Sequence, residues 1–136
     1  MVKENILVVS GKRKTAIAKA KIKTGTGKIS VNKQNIQNFG FFRGMRLEEP
    51  LTIAHQVLGD FNFDISVTVV GGGKQGQNDA ARLAIAKSIV AFTKNSELKK
   101  AYSDYDKTLL VADTRRKETR KPNDSKARAK RQKSFR

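Results

Sequence analysis

The chain has 136 residues, with 29 Lys and Arg against 12 Asp and Glu, a net charge of +17 and a pI near 10.5. That length holds one domain and a tail, and the charge points to a polyanion, nucleic acid before a membrane surface, because no window approaches the roughly 20 apolar residues of a span. With no cysteine and His55 as its one histidine, the chain has no disulfide, thiol nucleophile or thiolate metal site, and little scope for imidazole chemistry.

In chain order, Ile6 to Val9 is a short apolar run that reads as a buried strand, broken by Ser10 and Gly11. It is far too short for a signal sequence, which predicts a cytoplasmic protein. From Thr15 the residues alternate, with Ala16, Ala18, Ala20 and Ile22 on one face and Ile17, Lys19, Lys21 and Lys23 on the other, so a strand with a basic outer face is expected. Thr24 to Gly27 supplies glycines for a reversal and Lys28 to Val31 returns, which predicts a hairpin, with a further turn at Asn32 to Asn35. Phe39, Phe41 and Phe42, set among Gly40 and Gly44, read as an irregular segment plugging the edge of a core. Stacking on RNA bases is the alternative use of such rings.

Leu47, Leu51, Ala54, Val57 and Leu58 recur at helical spacing, with Glu48 and Glu49 suiting a first turn, so a helix over 47–58 is predicted with His55 beside its stripe. Asp60 to Val70 alternates most clearly: Phe61, Phe63, Ile65, Val67 and Val69 face one way and polar residues the other, which favours a mainly antiparallel sheet. A helix over 78–94 follows, capped by Asn78 or Asp79, with Ala81, Ile85, Ile89 and Phe92 facing inward. Further helical turns are expected over 96–102 and a short strand at Leu109 to Val111. The folded domain is then residues 1–113 and the tail residues 114–136.

Between the strand and the helix, Gly71 to Gly76 fits G-x-G-x-x-G. A dinucleotide site is not expected, because the preceding strand alternates, no room remains for further βαβ units, and Glu97, the acid at the right distance, lies in a helical pattern. A P-loop fails because Gln77 and Asn78 stand where Lys and Ser or Thr are required. The physics of the loop still suits a phosphate: Gly72 and Gly73 let backbone N–H groups approach it at a helix N-terminus, and Lys74 adds charge. Part of the glycine content can instead serve a tight turn. Lys12, Arg13 and Lys14, with Lys19 and Lys21, lack nearby acids in the sequence, so phosphate contact is expected of them.

The tail carries eleven Lys or Arg against Glu118 and Asp124, about half of the chain's net charge, and almost nothing to bury. Ordering its residues costs on the order of 1–2 kcal/mol each in backbone freedom, which favours a site that encloses the segment over the open face of a duplex. Folded RNA offers such crevices, although an architectural DNA-binding arm is the rival reading.

The chain resembles the small-subunit ribosomal protein nine family of archaeal and eukaryotic type. The resemblance rests on Gly11-Lys12-Arg13-Lys14-Thr15-Ala16, on Gly71-Gly72-Gly73 with Gly76-Gln77, on Leu109 to Asp113 with Arg115-Arg116, and on Lys126 to Ala129 leading to Gln132-Lys133-Ser134-Phe135-Arg136. It implies an α+β fold, helices on a mostly antiparallel sheet with a left-handed βαβ crossover, and an extended basic tail that is disordered without RNA. It also implies a non-enzymatic protein without cofactor, membrane contact or free homo-oligomer, bound to the 3′ major domain of the rRNA in the subunit head and to neighbouring ribosomal proteins. In this resemblance Gln77, Arg115, Arg116, Lys117, Arg120 and Lys121 join the rRNA contacts, as do Lys126, Arg128, Lys130 and Arg131. Lys133, Ser134 and Arg136 reach the peptidyl-site tRNA. Against the family pattern, Thr114 stands at a usual Pro, Asn123-Asp124 replaces a Gly-rich stretch, and Phe135 stands at a usual Tyr.

Overall fold

The two clearest alternations become the centre of one five-stranded sheet. In the computed structural model, which describes residues 5–133, β1 (Leu7–Arg13), β2 (Ala16–Thr24), β3 (Ile29–Val31), β4 (Gln34–Asn35) and β5 (Phe63–Val70) lie in the order β1-β2-β5-β3-β4. Ala16, Ala18, Ala20 and Ile22 of β2 and Phe63, Ile65, Val67 and Val69 of β5 form the buried face. Against it pack α1 (Phe41–Leu58), α2 (Lys74–Thr93) and α3 (Ser96–Tyr105). Three of the four strand pairings are antiparallel; β3 and β5 run parallel, joined through α1 as a βαβ unit. The expected α+β architecture with a mostly antiparallel sheet is therefore present.

The expected hairpin of β2 with the strand after it is not. Antiparallel β1 is the neighbour of β2 on one side and β5 on the other, and β3 lies beyond β5. The steering group is Asp64 on β5, whose Oδ1 accepts from the amides of Thr26 and Lys28 at 2.9 Å each and carries the chain across the end of β5. Those amides, Lys28 first, hold its carboxyl below the ordinary range. On the far side, Asn32 imitates a strand residue: its Oδ1 accepts from Val69 N at 2.9 Å, and its own N–H donates to Val67 O at 2.8 Å.

Other boundaries move as well. Ser10 and Gly11 do not break β1, which runs on to Arg13. The helix expected to begin at Leu47 begins at Phe41, so Glu48 and Glu49 lie in its middle, where Glu49 meets Arg82 of α2. Phe41 and Phe42 are exposed on its first turn; of the three rings only Phe39 packs against the core. α2 begins at Lys74 on a Gly73 cap, and Asn78, expected to cap it, is instead buried inside it with Nδ2 donating to Arg43 O at 3.4 Å. Residues 80–86 of α2 are buried all round, because the sheet lies on one side and α1 and the chain after α3 on the other. The strand expected at Leu109 to Val111 is a 3-10 turn, Lys107–Leu109, started by Asp106 accepting from Thr108 N; Leu109 is buried and Val111 exposed. His55 is exposed, its ring stacked on Phe61 at 4.8 Å.

Tyr102 ties α3 to α1. Wholly buried, it donates its hydroxyl to Pro50 O at 2.6 Å, and burial holds its phenol well above the usual range. Tyr102→Phe keeps the ring and removes this one bond. It is expected to cost about 1 kcal/mol in urea unfolding, and a variant as stable as the parent would show that the bond contributes nothing net.

Candidate nucleic-acid interface

Two basic motifs far apart in sequence meet at one end of the sheet. Arg13 pairs with Ala16 across the β1–β2 turn, which leaves Lys14 and Thr15 as a two-residue loop with Lys14 at φ 52° and exposed. The glycine loop folds over that turn. Gly71 and Gly72 both take left-handed backbone (φ 80° and 69°), and a Cβ on Gly71 would lie 2.6 Å from Thr15 O. Gln77, one of the expected RNA contacts, closes the loop by donating Nε2 to Gly71 O at 3.1 Å. Gly71 and Gly72 thus have a conformational reason to be glycine. Gly73 has none: its φ is negative, a Cβ there meets nothing within 4 Å, and as the cap of α2 it makes no side-chain bond to the first-turn amides. Gly73 and exposed Lys74 leave that turn open at the end of the sheet where Lys12 and Lys14 flank the β1–β2 turn.

The tail leaves from the same end. Arg13 is largely buried, and its guanidinium reaches Asp113 at 3.4 Å and Asp79 of α2 at 4.0 Å. The sequence places no acids beside this basic run; the fold brings two. Asp113 also accepts from Arg115, at 2.7 Å from Nη2 and at 2.9 Å from the backbone N–H. Arg115's side chain first, then its amide and Arg13, hold the Asp113 carboxyl well below the usual carboxylate range. Arg13 therefore positions the tail root, and Arg115 enters the tail already paired.

Because the folded value is depressed, the stability from this anchor is fully present above the unfolded value of 3.8, declines below it, and is lost once the pH falls through the lower folded value. Asp113→Ala should reproduce the loss at neutral pH. In the full chain the heteronuclear NOE of the Arg115 amide is expected to drop towards that of its tail neighbours, whereas an unchanged NOE would mean that Asp113 does not hold the root.

On the sheet face opposite the helices, Lys19 lies between Ser10 and Thr68, Lys21 between Val8 and Ser66, and Lys23 beside Asp64. All the Lys and Arg of residues 115–133 are exposed, in a segment with neither helix nor strand. Arg128 makes a two-pronged bond to Glu118, at 2.7 and 3.0 Å, on open surface where such pairs contribute little. No ion pair engages Arg116, Lys117, Arg120, Lys121, Lys126, Lys130, Arg131 or Lys133 among the described residues; Ser134 and Arg136 lie outside them. Arg43 and Arg46, on the first turns of α1, were not among the expected contacts. A helix start placed at Gly40 would have brought them beside α2, where Arg46 meets Asp79 at 2.9 Å.

A sheet face with lysines, an open glycine-capped helix start and an exposed basic arm thus belong to one small, strongly basic α+β protein. The chain belongs to the ribosomal protein S9/S16 family, whose pattern matches residues 11–136. It is 46% identical to small ribosomal subunit protein uS9 of Methanococcus vannielii over 129 residues, 93% of this chain and 95% of that protein. With the protein of the same name from Methanococcus maripaludis it shares 48% over the same spans. The uS9 of Methanothrix thermoacetophila is 43% identical over 128 residues, 93% of this chain and 96% of that one. Membership makes it a structural protein of the ribosome and not an enzyme.

Proposed function

We propose that this chain is a constituent of the small subunit of the cytoplasmic ribosome, where it binds the 3′ major domain of the rRNA in the head and reaches the peptidyl-site tRNA with the end of its tail. The observation that carries this reading is the convergence at one end of the domain of Lys12 and Lys14, the Gly73–Lys74 helix start and the root of the tail. The names of the relatives support the subunit. The mechanism is neutralisation of phosphates with geometric placement. The strand lysines and the helix start hold the domain on folded RNA; the basic tail threads into that RNA, the entropy cost of ordering it offset by contacts on several sides. Other ribosomal proteins of the head are its neighbours, and the chain is not a free homo-oligomer.

Subunits assembled with a chain lacking Lys133 to Arg136 test the finer part of the proposal. Incorporation is expected to be normal after a high-salt wash, while peptidyl-site tRNA dissociates about tenfold faster, the loss of two to three charge-assisted contacts. Unchanged tRNA dissociation would remove the tail end from that site.

A further inference from the structure

The helices α1 and α2 run parallel, because the pairs between them step the same way along both chains: Arg43 with Asn78, Arg46 with Asp79, Glu49 with Arg82. Their N-termini therefore share the end of the domain that carries the glycine loop. There the first turn of α1 presents Phe41 and Phe42, 75% and 79% exposed, with rings edge to face at 5.3 Å and Met45 half exposed one turn on. The rings sit in a positive field. Neither helix carries an acid in its first turn, neither has a side-chain cap, Lys74 opens α2, and the Arg43 guanidinium lies over the Phe39 ring at 5.1 Å. A partner that complements this surface must bring flat apolar faces and negative charge together. An unpaired nucleotide carries both in one unit.

We propose that Phe41 and Phe42 form a stacking platform for unpaired RNA bases whose phosphates lie towards Lys74 and the two helix starts. The proposal rests on the reading that the chain binds rRNA and adds to it a contact that charge does not provide.

The test separates the two. Phe41→Leu and Phe42→Leu in the full chain are assayed on a fragment of the rRNA 3′ major domain over a range of salt, with urea midpoints checked to stay at the parental value. Each substitution is expected to weaken binding about five- to tenfold and to leave the salt slope unchanged, because stacking releases no counterions. The chain contains no Trp, so Phe42→Trp provides a single tryptophan, excited selectively over the two tyrosines, expected to keep the affinity and to be quenched when the RNA is added. Parental affinity in both Leu variants, with an unquenched Trp, overturns the platform even where the steep salt dependence survives. Parental RNA affinity combined with poor retention in subunits also overturns it, and gives the patch to a protein neighbour. A parent chain with no salt-dependent RNA binding overturns the underlying reading instead.

Discussion

Removing residues 114–136 is expected to lower affinity for an rRNA head fragment about a hundredfold or more in 0.1 M salt and to flatten its salt dependence. The tail holds eleven Lys and Arg. Arg115 is committed to Asp113 and Arg128 to Glu118, while eight of the others make no ion pair among the described residues. If those eight each neutralise a phosphate, the tail alone contributes a slope of about −6, at roughly 0.7 per contact, and its removal should flatten the plot of log affinity against log salt by that amount. The Arg128–Glu118 pair is exposed, so exchanging its carboxylate for a phosphate costs little and raises the count by one. What limits the gain in affinity is the ordering of the segment, on the order of 1–2 kcal/mol per residue before contacts are counted. For that reason the change in slope should exceed what the change in affinity suggests. A truncated chain with the parental slope would place the phosphate contacts on the domain and leave the tail without a role in rRNA binding.

The elements most legible in the sequence were those whose buried face is set by their own alternation. β2 and β5 needed only the period of two, and the inward face of α2 needed only Ala81, Ile85 and Ile89. Their adjacency was not legible, because the group that sends β3 to the far side of β5 is the carboxylate of Asp64, 38 residues from the amide it holds at Thr26. The early start of α1 was hidden for a different reason. Apolar periodicity marks the residues that face the core, and Phe41 and Phe42 face solvent. The charges of the interface were legible as charges, but the acids that engage some of them were not. Asp79 and Asp113 reach Arg13 only after α2 has packed on β1 and the chain has returned from α3. Gly11 shows the same gap: in the sequence it reads as a break in the first strand, whereas the fold keeps it inside β1 and gives it a packing task.

Gly11→Ala is expected to cost about 2–3 kcal/mol of stability and to leave the RNA affinity of the folded protein unchanged. Gly11 lies in β1 under α2, where an added Cβ would stand 2.5 Å from Ala80 O and 2.7 Å from Ala84 N. Both are backbone atoms of a helix buried on all sides there, so no flexible side chain can turn away and the helix itself must lift. Ala80 and Ala84 are fully buried, and the same movement would open a gap elsewhere along the contact. The urea midpoint should fall with little change in the slope of the unfolding transition, as expected when the native packing and not the unfolded state is altered. Gly73→Ser supplies the opposite case. A side chain there meets nothing, and serine suits a helix cap, so stability should hold or rise by a few tenths of a kcal/mol. RNA affinity should fall severalfold if a phosphate approaches the open amides of α2, because the new hydroxyl occupies them. Should Gly11→Ala unfold at the parental midpoint, the contact of α2 with β1 yields more easily than close packing allows. Should Gly73→Ser bind RNA as the parent does, the helix start is not a phosphate site and Lys74 acts by charge alone.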